Sequence, residues 1–329
     1  MDCLELLTPI KNIFATAKIQ IVTYSVALLT MAGASCTERD KQGNVLDQTT
    51  YGTITIAVDE SLKPLIDAEI DTFEATYRDA HINVIYTSET EAINAMLKDS
   101  ARLAIVTRSL TEEENSYLLN QQINGHEQKI AKGGIALIVN RASTDTLMSL
   151  PDFKKILTGV SNLNELDKRF SAVPKVVVFD HPNSGIIRYL RDSVQQFSKL
   201  PSYCYAVNGN PQVIDYVSKN PHAIGLIDVS WISDRDDSTA TSFLSSIKVV
   251  GISDGRDYFQ PYQAYIADRS YPLLRDIKIL SREARMGLGS GFTAFVASER
   301  GQRIVLKSGI VPATMPIRII QVSTEPFRP

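Results

Sequence analysis

Cysteine is scarce in this 329-residue chain: Cys3, Cys36 and Cys204 are the only three. Cys3 and Cys36 belong to the N-terminal region, so Cys204 is left alone and no intrachain disulfide is expected. A lone Cys between Tyr203 and Tyr205 reads as a small buried hydrophobe. Positive charge is not in excess, with 34 Lys and Arg against 37 Asp and Glu. A net charge of −3 gives no basic field for nucleic acid. The four histidines (His81, His126, His181, His222) form no HExxH pair, which argues against a metal centre. No GxSxG elbow exists, since Ser184 stands in Asn-Ser-Gly-Ile. Gly287-Leu288-Gly289-Ser290-Gly291 lacks the spacing and Lys of a phosphate loop, and reads as a turn into the last helix. These absences argue against an enzyme, a metal and a cofactor. After residue 36 no apolar stretch approaches membrane-spanning length, and neither repeats nor low-complexity segments occur.

What is present begins at the N-terminus. Residues 19–36 read IQIVTYSVALLTMAGASC, with Lys11 and Lys18 before them. The run is too short and too interrupted for a comfortable spanning helix. It ends in small residues and a cysteine, the pattern of a bacterial lipoprotein signal. Cys36 is then the expected lipidated first residue, and everything after it lies outside the cytoplasm on a membrane tether. Residues 37–50 are polar and aperiodic, as suits a flexible linker. The remaining chain, about 290 residues after the leader, is enough for one large domain or two lobes.

Along that chain strands and helices alternate. TITIAV (53–58), His81–Tyr86 and Arg102–Thr107 read as strands. Leu62, Ile66, Ile70, Phe73 and Tyr77 recur by threes and fours, which predicts a helix with Pro64 in its first turn. Glu89–Leu97 reads as a second helix, and Thr111 with Glu114 as the start of a third. The alternation argues for an α/β lobe with a largely parallel sheet. Lys129–Val139 carries two short apolar runs around Gly133-Gly134, a pair that would let the chain bend between lobes. The pattern then restarts: helix 150–157, strand 175–179, helix 186–197, helix 212–218, and strands 223–227 and 248–252. One long helix is expected over 291–307.

Ligands in such sheets sit beyond the carboxyl ends of strands. Three loops meet that rule: Asp59-Glu60-Ser61-Leu62, Thr107-Arg108-Ser109, and Asp180 to Gly185. Each puts hydroxyls or free backbone N–H groups near a helix start, where an anion is favoured. Ser, Asp and Asn in such places are also common helix caps, and Arg108 could serve a surface ion pair. Taken singly each loop reads more readily as a cap, and it is three such loops in corresponding places that raise the ligand reading.

GTITIAVDESLKPLI, LAIVTRSLTEEE, KGGIALIVN, LTGVSNLNEL, NSGIIRYLRD, AIGLIDVSWI, YPLLRDIKIL and GFTAFVASERGQRIVLKSGIVPA occur in this order. Their order and spacing over about 51–320 resemble the PstS-like family of phosphate-binding proteins of ABC transporters. The resemblance implies a two-lobed α/β fold of the type II periplasmic-binding-protein kind, mostly parallel sheets flanked by helices, and a hinge. It implies lobes at 51–132 with 262–323 and at 133–261. It implies a monomeric, non-enzymatic protein that captures phosphate and delivers it to a membrane permease. Carried across, Ser61 is a hydroxyl donor and Leu62 a backbone donor, with Thr107 and Arg108 in the second loop. Ser184, Gly185 and Ile186 form the third. Ile186 replaces the family's usual Thr, and Asp180 stands where the family has its clamp Arg. Arg108 would then supply the charge, and Asp180 or Asp59 would accept the phosphate proton. The alternative is an envelope sensor or adaptor of the same fold that binds another oxyanion or a protein partner.

Overall fold

The computed structural model describes residues 46–159 and 176–316. Cys36, the leader, most of the linker, residues 160–175 and the end of the expected first lobe lie outside the described residues. The first half of the chain comprises β1 (Gly52–Asp59), α1 (Lys63–Thr76), β2 (Ala80–Thr87), α2 (Glu89–Leu97), β3 (Leu103–Val106) and α3 (Glu112–Asn120). A 15-residue strand follows, β4 (His126–Asn140), then β5 (Leu147–Ser149) and α4 (Leu150–Thr158). Next come β6 (Val176–Phe179), α5 (Gly185–Tyr189), β7 (Cys204–Ala206), α6 (Asn210–Lys219) and β8 (Ala223–Asp228). They lead to α7 (Ser230–Ser233), α8 (Ser238–Ser246), β9 (Ile247–Val249) and β10 (Gly251–Ser253). The return consists of α9 (Gln263–Ala267), β11 (Leu274–Ser281), α10 (Leu288–Ala297), α11 (Glu299–Lys307) and β12 (Val311–Pro312).

The strand order is β2-β1-β3-β11-β4-β8-β6-β7. Parallel triplets, β2-β1-β3 and β8-β6-β7, form the two ends. Between them β11 and β4 run antiparallel to their neighbours. The first half of β4 pairs with β11 and the second half with β8, so one strand serves both lobes.

Local chemistry explains the elements beside the cleft. The helix α1 buries Ile66, Ile70 and Phe73, as its spacing predicts, and Leu65 besides, while the expected Leu62 and Tyr77 flank it as caps and Pro64 lies in its first turn. Phe73 meets Phe292 and Phe295 edge-on at 5.4 and 5.3 Å, which ties α1 to α10. Such pairs contribute about 0.5–1.5 kcal/mol each beyond burial. The helices α2 and α3 both start with capping boxes, Ser88 with Glu91 and Thr111 with Glu114.

Five local expectations change. The Gly133-Gly134 pair does not interrupt β4. A Cβ on Gly134 would lie 2.9 Å from the Leu273 carbonyl oxygen, so glycine there permits close strand packing. The 248–252 strand is two, because β9 pairs with β4 while β10 pairs with β5. The 186–197 helix ends early: α5 passes into a π turn over Leu190–Val194. The single C-terminal helix is two, divided at Ser298, whose backbone is extended. The end of the expected linker is packed: the Asp47 carboxylate pairs with Arg285 and accepts the Leu288 N–H at 2.7 Å.

Candidate functional site

The three expected loops meet at one point. A Cβ on Gly185 would lie 2.5 Å from Asp59 Oδ2, 2.8 Å from Thr107 Oγ1 and 3.1 Å from Glu89 Oε1. Only glycine allows that approach. Ser184 caps α5 by accepting the Ile187 N–H at 3.4 Å, and its hydroxyl also donates to Asp180. On the facing loop, Asp59 Oδ1 accepts the Ser61 N–H at 3.0 Å. The Ser61 carbonyl accepts from Trp231 Nε1 at 2.9 Å and Ser230 Oγ at 3.3 Å. Glu60 accepts from Asn210 Nδ2 at 2.8 Å.

The predicted residues are not all used alike. Asp59, Ser61, Thr107, Asp180, Ser184 and Gly185 gather at this point, all buried. The side chains of Leu62 and Ile186 are fully buried in the apolar core. Arg108 is turned away: it binds Glu114 through both terminal nitrogens, at 2.6 and 2.7 Å. Thus Arg108 strengthens the start of α3 while other arginines face the cleft. Ser290 in the Gly287–Gly291 run gives its N–H and hydroxyl to Glu283 at 2.6 and 2.7 Å.

Two ion pairs dominate the site. Arg188, one turn beyond Ser184, binds Glu89 from α2. Thr107 adds its N–H at 2.8 Å and its hydroxyl at 2.7 Å to the same carboxylate. Arg275 on β11 binds Asp228 at the end of β8 at 2.5 Å, and both side chains are only 1% exposed. Arg275 also donates to Ser61 Oγ at 3.3 Å. Sequence reasoning passed over all four charged residues. Glu89 and Asp228 were open to the strand-end rule, and Arg188 to its spacing of four from Ser184. Arg275 gives no local signal, because the chain brings it back some 200 residues later as part of the return strand.

Burial and neighbouring charge set the electrostatics. Burial pushes Asp59 up to about 8, with repulsion from Glu89 and Asp180 adding to it and Arg275 opposing. Burial likewise raises Glu60 and Asp180. Glu89 is also buried, yet the bonds from Arg188 and Thr107 outweigh burial and hold it below the usual carboxylate range. Four buried polar atoms around the cleft have no hydrogen-bond partner among the described residues: Arg275 Nε and Nη1, Asp59 Oδ2 and Asp180 Oδ1. A cavity of about 230 Å³ opens beside the two aspartates, lined by Asp59, Glu60, Tyr86, Asp180, His181 and Ser184 among others, while Arg275 lies behind its wall. A larger one, about 570 Å³, lies by β9 and α9 and is lined by none of these residues.

The PBP superfamily domain matches residues 44–300, and the chain belongs to that superfamily. No curated protein matches it. Among solved structures it is similar to a Clostridium perfringens protein assigned as a phosphate ABC transporter substrate-binding protein with bound phosphate. There the identity is 22% and the TM-score 0.66, over 80% of this chain and 100% of that one. An ABC-type phosphate transport receptor from Vibrio cholerae follows at 21% identity and TM-score 0.59, over 79% and 100%. Full-length OxyR from Pseudomonas aeruginosa reaches TM-score 0.51 at 8% identity, over 87% of this chain and 79% of that one. At these identities the likeness establishes the fold, the expected two-lobed type II periplasmic-binding-protein architecture.

Proposed function

We propose that this chain is a lipid-anchored, extracytoplasmic solute-binding protein that takes inorganic phosphate between its lobes for an ABC transporter. It acts as a non-enzymatic monomer tethered through Cys36, and it passes the ion to a membrane permease. The lobes are 51–132 with 262–323, and 133–261, moving about the two crossings between them. The proposal draws on the names of the two phosphate-binding structures that share the fold, and on the site itself.

The observation that carries it is the set of orphaned atoms. Buried polar groups without partners are rare and call for an explanation. Here two guanidinium nitrogens of Arg275 need an acceptor, and Asp59 and Asp180 each have a free oxygen. A protonated phosphate answers both needs, with oxyanions for Arg275 and for the protonated Asp59, and a P–OH for the Asp180 carboxylate. Arg275 thereby takes the role first expected of Arg108. Sulfate has no proton near neutral pH to offer Asp180, so that carboxylate repels it.

Titration calorimetry of the protein, freed of ligand by unfolding and refolding, tests this. The expected result is one-to-one binding of phosphate and no heat with sulfate at neutral pH. Silence to both, from folded protein, refutes it. The second reading, an envelope sensor or adaptor, would then lead. It is favoured by one observation: the donors on Thr107 and Arg188 already hold a carboxylate of the protein's own.

A further inference from the structure

The Glu89 carboxylate is bound as a ligand would be. It is 1% exposed. It accepts the Thr107 N–H, the Thr107 hydroxyl and Arg188 Nε, with Arg188 Nη2 at 3.3 Å. Charged and neutral donors converging on one anion are the usual means of holding an oxyanion. The position is also that of a ligand, since Glu89 Oε1 would lie 3.1 Å from a Cβ on Gly185, at the meeting point of the three loops. The cavity alongside is bordered by its neighbours Ser88 and Glu91. Glu89 and Thr107 come from the β2-β1-β3 end of the fold, and Arg188 from the β8-β6-β7 end. The contact therefore spans the cleft.

We infer that Glu89 is a built-in occupant of the solute site, an anion carried on the chain that holds the cleft shut until an incoming oxyanion displaces it. The identity of the displacing ion rests on the phosphate reading above; the latch itself does not. Glu89 sits at the first turn of α2, so its side chain can swing toward the cavity without the helix moving. Displacement sets the specificity. A multiply charged tetrahedral oxyanion can bond Arg188, Thr107 and Arg275 together, more than one carboxylate can. A small monoanion only matches what Glu89 already provides, and so gains nothing over it.

The test uses the protein with Glu89→Gln and Glu89→Ala beside the unchanged protein. Glu89→Gln keeps the shape and removes the charge, so a fold defect is separable from loss of the latch. Small-angle X-ray scattering without ligand reads the latch, and phosphate titration reads the ligand. The expected result is a larger radius of gyration in both ligand-free variants than in the unchanged protein. Phosphate affinity is expected to tighten by about tenfold once the internal competitor is gone. Unchanged scattering overturns the latch, and where the unchanged protein binds phosphate, so does an affinity that stays the same or weakens in the variants. If all three proteins ignore phosphate while both variants open, the latch holds and the phosphate reading falls. If the unchanged protein binds phosphate and the variants neither open nor bind more tightly, the reverse follows.

Discussion

Glu69 makes the stability of this protein depend on pH in a calculable way. It lies on the inner face of α1, fully buried, and neither carboxylate oxygen has a partner among the described residues. Burial raises its pKa from 4.5 to about 9. The folded protein therefore keeps this proton across a range where the unfolded chain releases it. Between those two values the native state binds more protons than the unfolded state, so stability falls as pH rises. At pH 7 the group has titrated about 2.5 units past its unfolded value, a loss of roughly 3 kcal/mol relative to acid. Against a typical total of about 5–15 kcal/mol that is a large share. Glu69→Met removes the titration and the unpartnered atoms at similar volume. Urea unfolding at pH 5, 7 and 8.5 measures the difference. The variant is expected to be more stable at pH 7 by about 3 kcal/mol, with the gap widening at pH 8.5 and closing toward pH 5. Two curves that run parallel across this range would refute the reasoning, because the carboxyl would then have found a partner or solvent.

Three further outcomes follow from the cleft. Replacing Asp228 by Asn leaves the buried Arg275 charge uncompensated and is expected to cost about 3–5 kcal/mol, with the Arg275→Met, Asp228→Leu double variant costing less than the single, as denaturant midpoints would show. Gly185→Ala places a methyl 2.5 Å from Asp59 Oδ2, so the lobes cannot meet as they do here; scattering of the ligand-free variant should show a more open particle, and a compact one would count against the close approach. Asp59, raised by burial to about 8, gains its negative charge as pH passes that value, so phosphate affinity should fall above pH 8. Asp59→Asn should flatten the fall in calorimetry, and an unchanged pH profile would remove Asp59 from the site.

How legible this was from sequence depends on the range over which each residue acts. The strands β1 to β3 and the helices between them follow from spacing and caps, because apolar period and hydrogen-bonded starts are local properties. The capping boxes of α2 and α3 could be read three residues apart. The break at Ser298 could not, because the apolar period continues across it and the division lies in the backbone. The loops Asp59–Leu62 and Asp180–Ile186 were found by a topological rule that needs only strand ends. Arg108 was misassigned for a specific reason. Its sequence position, two residues past the end of β3, suits a ligand, but Glu114 stands at the N3 position of the next helix and binds it in a fork. A charged residue goes to the nearest good partner, and that partner was already visible as half of a capping box. Arg275 shows the opposite limit. Nothing near it in the chain announces a site, and its meeting with Asp228 exists only because β11 and β8 flank the same strand. The positive charge of the cleft is therefore a property of the sheet order. Reading it requires the topology first, and in this fold the return strand is where a missing clamp should be sought.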